Sequence, residues 1–286
     1  MYKEVKKMRT DLRIIGIVSN DKYINKIQED LALKKALEEE GCIVEIVSWE
    51  NDQIDYSKFD CLILRSVWGY HNKYREFKKW LEMLKNREIR IFNDVETIEN
   101  NIRKDVQFSI LDKYGIPHVS TDFQKGKFDI EKYYNKEYII KPIISCSGER
   151  TFKIDDVDLK ILLELISDKE NGIMVQPYMK EIENGEYSII FINGENTHNM
   201  VRHPGIFSEK EKPYFIQDVP SKVLELANLV KNIPEYSRVL YMRVDIVGSD
   251  TPVIMEVELA EPDLLTRYID FEEPIKKMAK AIRGKL

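Results

Sequence analysis

The stretch YMRVDIVGSDTPVIMEVELAEP, residues 241 to 262, constrains this chain more than any other. It reads as two strands around a tight turn, with charges where a buried strand is normally apolar. Strand side chains alternate with a period of two. Met242, Val244 and Ile246 therefore share one face of the first strand, and Arg243 and Asp245 the other. On the second strand Met255, Val257 and Leu259 oppose Glu256 and Glu258. A turn at Asp250 and Thr251 sets Asp245 opposite Glu256 and Arg243 opposite Glu258. Three carboxylates on one face repel, so a cation must offset them. A hard divalent ion takes such oxygens, commonly together with substrate phosphates. The competing reading is the solvated face of an edge hairpin. A lone arginine among acids, flanked by apolar residues, fits the metal reading better.

Upstream, apolar runs at 13–19, 43–47, 60–64 and 89–92 alternate with helical spacing at 24–40 and around Phe77, Trp80, Leu81 and Leu84. Strands alternating with helices imply a parallel sheet with helices on its faces. The first helix is expected to bury Ile27, Leu31, Ala36 and Leu37, and this unit to end near Asn93. A single helix is predicted over 97–114, burying Ile98, Ile102, Ile110 and Leu111 and stopped by Gly115-Ile-Pro117. Strand-like runs follow at 138–141, 151–154, 173–177, 186–192 and 196–202, with helices near 156–167, 221–232 and 272–283. This half reads as α+β with antiparallel strands. No Pro/Gly/Ser linker separates the parts, so packed subdomains are expected, at 1–96, 97–174 and 175–286.

With 286 residues the chain can enclose a sizeable core. A net charge of −6 argues against nucleic acid as the main partner. No apolar run is long enough to span a membrane. The basic MYKEVKKMRTD start lacks the apolar core of a signal peptide. Cys42, Cys61 and Cys146 show neither metal spacing nor a disulfide framework, which suits a reducing cytoplasm. His71, His118, His198 and His203 form no metal or triad spacing.

Several segments could serve a phosphorylated ligand. Lys141, ending the strand YIIKP, is costly to bury unpaired, and a phosphate would satisfy it; a snorkelling lysine is the plainer reading. Ser145-Cys-Ser-Gly-Glu-Arg-Thr151 is a small-residue loop whose N–H groups can approach phosphate oxygens, although alone it reads as a hairpin turn. Gln176-Pro-Tyr-Met179 offers backbone groups to a purine edge, or is a core strand leaving its sheet. Glu186 suits ribose hydroxyls, or is an exposed acid starting a strand. Arg65-Ser66-Val-Trp68 follows a parallel strand, where α/β sheets bind ligands. Arg65 suits a carboxylate or phosphate, and equally an internal arginine–acid pair. Arg202 is a second candidate anion contact.

Taken in order, these pieces resemble the ATP-grasp superfamily of carboxylate–amine ligases over nearly the whole chain. The resemblance implies an N-terminal parallel-sheet pre-grasp domain and two α+β subdomains clasping ATP. Asn101-Ile-Arg-Lys104 resembles the first nucleotide lysine, and Lys141 the second. Ser145, Ser147 and Gly148 resemble the phosphate loop, Gln176, Pro177, Tyr178 and Met179 the adenine hinge, and Glu186 the ribose ligand. Arg243 and Asp245, then Glu256 and Glu258, resemble the R-x-D and E-x-N signatures, with Glu258 replacing the usual Asn. The implied metal ligands are Asp245, Glu256 and Glu258, for Mg²⁺ or alternatively Mn²⁺. RSVWGYH, with Phe77, Trp80 and EVELAEPDL, resembles the branch containing the cyclo-ligase of cycloserine biosynthesis.

The implied reaction activates a carboxylate as an acyl phosphate, releasing ADP, and an amine then displaces phosphate. Arg243 and Arg202 take catalytic roles by this resemblance, and Arg65, Ser66 and Trp68 contact substrate. Amino acids or small peptides are the expected substrates, and a homodimer the expected assembly. A phosphotransferase with the same grasp, or a non-catalytic ATP-binding protein, is the alternative.

Overall fold

A computed structural model describes residues 12–126, 128–146, 148–168, 171–203, 212–269 and 272–286. The first sheet is parallel, with strand order β2-β1-β3-β4: β1 Arg13–Ser19, β2 Cys42–Ser48, β3 Cys61–Leu64 and β4 Ile91–Phe92. Helix α1 (Gln28–Glu39) and helix α2 (Tyr74–Asn86) lie between its strands. Helix α2 buries Phe77, Trp80, Leu81 and Leu84, the stripe its sequence spacing predicts. Helix α1 differs. It begins at Gln28 and buries Leu33, Ala36 and Leu37, with Glu29 and Asp30, while Ile27 and Leu31 are half-buried. The acids displace the apolar stripe because they face Arg65.

The single helix predicted over 97–114 is two helices, α3 (Val95–Ile102) and α4 (Lys104–Lys113). Arg103 between them is extended, at φ −95° and ψ 103°. No Gly or Pro marks the break. Its effect is to start α4 at Lys104 and turn that side chain inward, leaving it only 5 % exposed.

A second, antiparallel sheet has the order β5-β8-β6-β7, from β5 Asp122–Gln124, β6 Tyr138–Pro142, β7 Phe152–Lys153 and β8 Ile173–Pro177. Helix α5 (Leu159–Ser167) packs Leu162 and Leu165 into the same core as Ile140 and Val175. The third sheet has the order β11-β10-β9-β12-β13, from β9 Glu186–Ile192, β10 Glu195–Arg202, β11 Tyr214–Phe215, β12 Tyr241–Val247 and β13 Val253–Glu258. Gly185 opens β9 at φ +102°, where an added Cβ would lie 2.4 Å from Val201. A side chain there would clash and be strained, so the approach to Glu186 requires glycine. Helix α6 (Ser221–Lys231) covers one face of this sheet, and α7 (Glu272–Lys285) packs on α1. Strands β5 and β11 carry too few residues to show a period in the sequence.

Arg243 pairs with Glu258 and Asp245 with Glu256, the register expected from the sequence. Beyond them the pairing shifts, and Ile246 lies opposite Ile254. Met255 is thus a bulge residue. It does not join Val257 and Leu259 in the core; it faces the cavity beside Glu256, because a bulge re-aims its extra residue.

Strand β13 is a sheet edge, and its outer backbone groups would be left unpaired. The backbone of Pro117 and Val119 pairs with Ile254, and three side-chain amides serve the strand's end and the residues after it. Asn101 Nδ2 donates to Val257 O at 2.6 Å, and its Oδ1 accepts from Leu259 N at 2.8 Å and Ala260 N at 3.2 Å. Gln107 donates to Val257 O at 2.8 Å and accepts from Val257 N at 2.9 Å. Asn93 donates to Leu259 O at 2.8 Å and Tyr241 O at 3.0 Å. The carboxylates of β13 are therefore held from both sides.

Candidate active site

The second and third sheets face each other across a cavity of about 820 Å³. On the third sheet the wall consists of Glu186, Arg202, Arg243, Asp245, Glu256 and Glu258. Asp245 lies at its centre. Arg243 Nε and Nη2 each lie 3.0 Å from its carboxylate, Arg202 Nη2 lies at 2.7 Å, and Ser188 Oγ donates at 2.7 Å. Burial alone would raise the Asp245 pKa, but the two guanidiniums and Ser188 outweigh it and hold the carboxyl below its usual range. Arg202 also reaches Glu186 at 2.6 Å, and Arg243 reaches Glu258 at 2.5 Å and the Asp263 carbonyl at 2.8 Å. Burial pushes Glu186 up to about 7 and Glu258 up to about 8; Glu256 and Asp245 add to the latter and Arg243 opposes it.

Lys104 reaches this wall from α4. Its Nζ lies 2.5 Å from Glu256 Oε1 and donates to the Ser145 carbonyl at 3.1 Å. Burial lowers its pKa, but the Glu256 carboxylate outweighs burial and raises it overall. Lys141 enters from β6 on the other side. Among the described residues it has no ion-pair partner; burial lowers its pKa, Glu256 opposes that shift and Lys104 adds to it. Ile139, Ser145, Gly148 and Thr151 line the same end. Gln176, Pro177, Tyr178 and Met179 leave β8 along one edge, and Met255 and Ile139 supply apolar surface. The Gln176 side chain donates to Thr121 Oγ1 at 2.9 Å, which fixes the start of this segment.

Most expected residues therefore converge. Ser147 lies outside the described residues. Arg65 and Ser66 do not reach the cavity. Arg65 is 3 % exposed; its guanidinium lies 3.7 Å from Glu29 and from Asp30 and donates to the Pro262 carbonyl at 3.2 Å. Ser66 Oγ donates to Asp30 and bonds Ser19 Oγ at 2.7 Å. Arg65 and Ser66 thus form the internal arginine–acid pair, the alternative that the sequence left open. Trp68 does line the cavity, its Nε1 donating to the Glu261 carbonyl at 3.0 Å. The three carboxylates expected to hold a metal share this wall, each already paired with a cation. Among the described residues no three acids, histidines or cysteines converge as a metal cage. Arg202, Arg243 and Lys104 supply the offsetting charge.

Sequence reading missed Glu29, Glu261, Asp263 and Arg267, which also line the cavity. Arg267 grips Asp263 through two contacts of 2.6 and 2.7 Å. Only the acid-rich EPD tail after β13 signalled this region, and Glu29 looks like an ordinary first-turn acid of a helix.

Comparison with known proteins agrees with this geometry. Residues 15–93 match the family described as "D-cycloserine synthetase DcsG, N-terminal domain", and residues 116–212 the "Prokaryotic glutathione synthetase, ATP-grasp domain". The chain has the ATP-grasp fold, with a match to an ATP-grasp domain at residues 116–212. The cycloserine biosynthesis protein DcsG of Streptomyces lavendulae is 20 % identical over 86 % of this ATP-grasp chain and 90 % of its own length. The glutathione synthetase of Wigglesworthia glossinidia brevipalpis is 21 % identical over 73 % of this chain and 67 % of its own. The crystal structure of D-cycloserine synthetase DcsG superposes with a TM-score of 0.81 at 18 % identity, covering 95 % of this chain and 99 % of that one. D-alanine–D-alanine ligase from Bacillus anthracis, complexed with ATP, gives 0.66 at 17 % identity over 96 % and 99 %. The ATP-grasp fold accounts for two antiparallel sheets facing one cavity, with a parallel sheet at its end.

Proposed function

We propose that this ATP-grasp enzyme joins a small carboxylate to an amine, forming an amide-type bond through an acyl phosphate with release of ADP and phosphate. The supporting observation is the asymmetry of the cavity. Lys141, with no ion pair among the described residues, faces a wall on which every described acid of the R-x-D and E-x-E pairs is already held by a cation. Such a wall repels a free acid less than its formal charge suggests, and the spare lysine draws a polyphosphate.

In this reading Lys104 and Lys141 hold the phosphates, with the loop from Ser145 through Gly148 above them. The Gln176–Met179 segment receives the purine, and Glu186 the ribose. Asp245 and Glu256 fit a divalent ion by donor chemistry, since Mg²⁺ is commonly held by one or two carboxylates completed by phosphate oxygens. That ion would neutralise charge between the phosphates. Arg243 is fixed by Asp245, Glu258 and the Asp263 carbonyl, so it presents charge to a developing oxyanion without reorganising. Arg202 holds the transferred phosphate in the same way. Glu258 here anchors Arg243 as much as it faces a metal. The substrates are amino acids or small peptides, entering beside Trp68.

Hydroxylamine trapping tests the acyl phosphate. With ATP, Mg²⁺ and a pool of amino acids, hydroxylamine should yield a hydroxamate together with ADP. ADP accompanied by a stable phosphorylated product, and no hydroxamate, would replace ligation with phosphotransfer.

A further inference from the structure

The turn at Gly69–His71 and the phosphate loop meet at a thiol, a base and an acid that the ligation does not use. Cys146 Sγ lies 3.2 Å from His71 Nδ1, and His71 Nε2 lies 2.9 Å from Glu149 Oε2. A carboxylate can only accept from Nε2–H, so Nδ1 of the neutral ring is the acceptor that faces the thiol. The Gly69 N–H donates to the same sulfur at 3.4 Å. A nucleophile beside a base that is itself oriented by a third group is the arrangement that activates side-chain nucleophiles. A thiolate formed here keeps two donors, the imidazolium and the peptide N–H, and thiolate is the reactive form.

The sulfur is also reachable. Cys146 lines the cavity and is half-buried, while the His71 side chain is only 5 % exposed and so is held in place. The other cysteines are core residues. Cys42 and Cys61 are buried, and burial pushes Cys61 up to about 12.

We infer that Cys146 is a reactive thiol that exchanges with low-molecular-weight disulfides, and that the resulting mixed disulfide closes the phosphate end of the cavity. His71 takes the thiol proton, and the Cys146 thiolate attacks one sulfur of the disulfide. The S–S bond breaks, and the other half leaves as a thiolate that is protonated to a free thiol. The disulfide is the only oxidant required. The exchange stands on the cluster's geometry. Its consequence for nucleotide binding rests on the ligase reading.

The test treats the full chain with oxidised glutathione and follows adducts by intact mass and peptide mapping. One adduct at Cys146 is expected, and none in Cys146→Ser. His71→Ala should slow the reaction at least tenfold, and Glu149→Gln, altered at an exposed carboxylate, at least threefold. The wild-type pH–rate profile should break below the ordinary thiol value of about 8.5 and return to it in His71→Ala. Mg²⁺-ATP should slow the adduct, and the adduct should weaken ATP binding at least tenfold until a thiol reductant is added. Modification at Cys42 or Cys61 instead, or an unchanged rate in both the His71 and Glu149 variants, overturns the inference. An adduct at Cys146 that leaves ATP binding intact overturns the closure while the thiol chemistry stands.

Discussion

Lys104 Nζ and Glu256 Oε1 meet at 2.5 Å although 152 residues separate them in sequence. The contact ties the first turn of α4 to β13 and gives Lys104 an ion pair that Lys141 lacks among the described residues. The two lysines should therefore respond differently to removal. Lys104→Ala strips the cation from Glu256 and should lower both thermal stability and ATP affinity. Lys141→Met removes a half-buried charge without an ion-pair partner, so the ligand-free protein should keep or gain stability. Its ATP affinity should still fall more than tenfold, above about 1.4 kcal/mol. Calorimetric titration with unfolding curves separates the two.

Asn101 makes three hydrogen bonds to the backbone of residues 257–260. In Asn101→Ala the Leu259 and Ala260 N–H groups lose this acceptor, while Gln107 still donates to Val257 O. Each unsatisfied group costs about 1–3 kcal/mol. Urea denaturation should show a loss of about 2–4 kcal/mol after partial relaxation, and turnover should fall because Glu256 and Glu258 are no longer fixed.

Arg65 is buried against Glu29 and Asp30. Removing one partner of a buried ion pair typically costs about 3–5 kcal/mol. Arg65→Ala should lose stability on that scale while ATP affinity in the folded fraction stays within a few-fold of wild type. A stable variant with a selectively raised KM for substrate would restore the substrate-contact role.

His198 joins β10 to the loop that carries Asp263, with Nε2 bonded to the Leu264 carbonyl at 2.6 Å. Burial lowers its pKa below the ordinary histidine value. The unfolded chain then binds the proton more readily than the native state. The stability tied to this histidine is present above about pH 6.5 and lost as pH falls through its native pKa. Unfolding free energies from pH 7.5 to 5 should fall in wild type and follow a shallower slope in His198→Gln.

Much of the fold was legible because its patterns are long. The strand at 13–19 follows from its apolar run and the stripe of α2 from its period, and the Arg243–Glu258 register follows from charge sorting on two adjacent strands. The bulge at Met255 was not legible, since one extra residue leaves the alternation before and after it intact. Nor was the break at Arg103, which no Gly or Pro announces and which tertiary contacts of Asn101, Lys104 and Gln107 impose. Glu29 and Asp30 carried no signal because Arg65, which buries them, lies on another strand's loop. The Cys146–His71–Glu149 cluster is invisible in sequence for the same reason: 75 residues separate the thiol from its base.

The central claim is ligation, and product mass tests it most directly. The protein is incubated with Mg²⁺-ATP and defined pools of amino acids, and all products are analysed by mass spectrometry. ADP should appear only with particular pools, together with a new mass equal to the joined members minus water (or to one member minus water, if ligation is cyclising). ADP accompanied only by a stable phosphorylated pool member would contradict it.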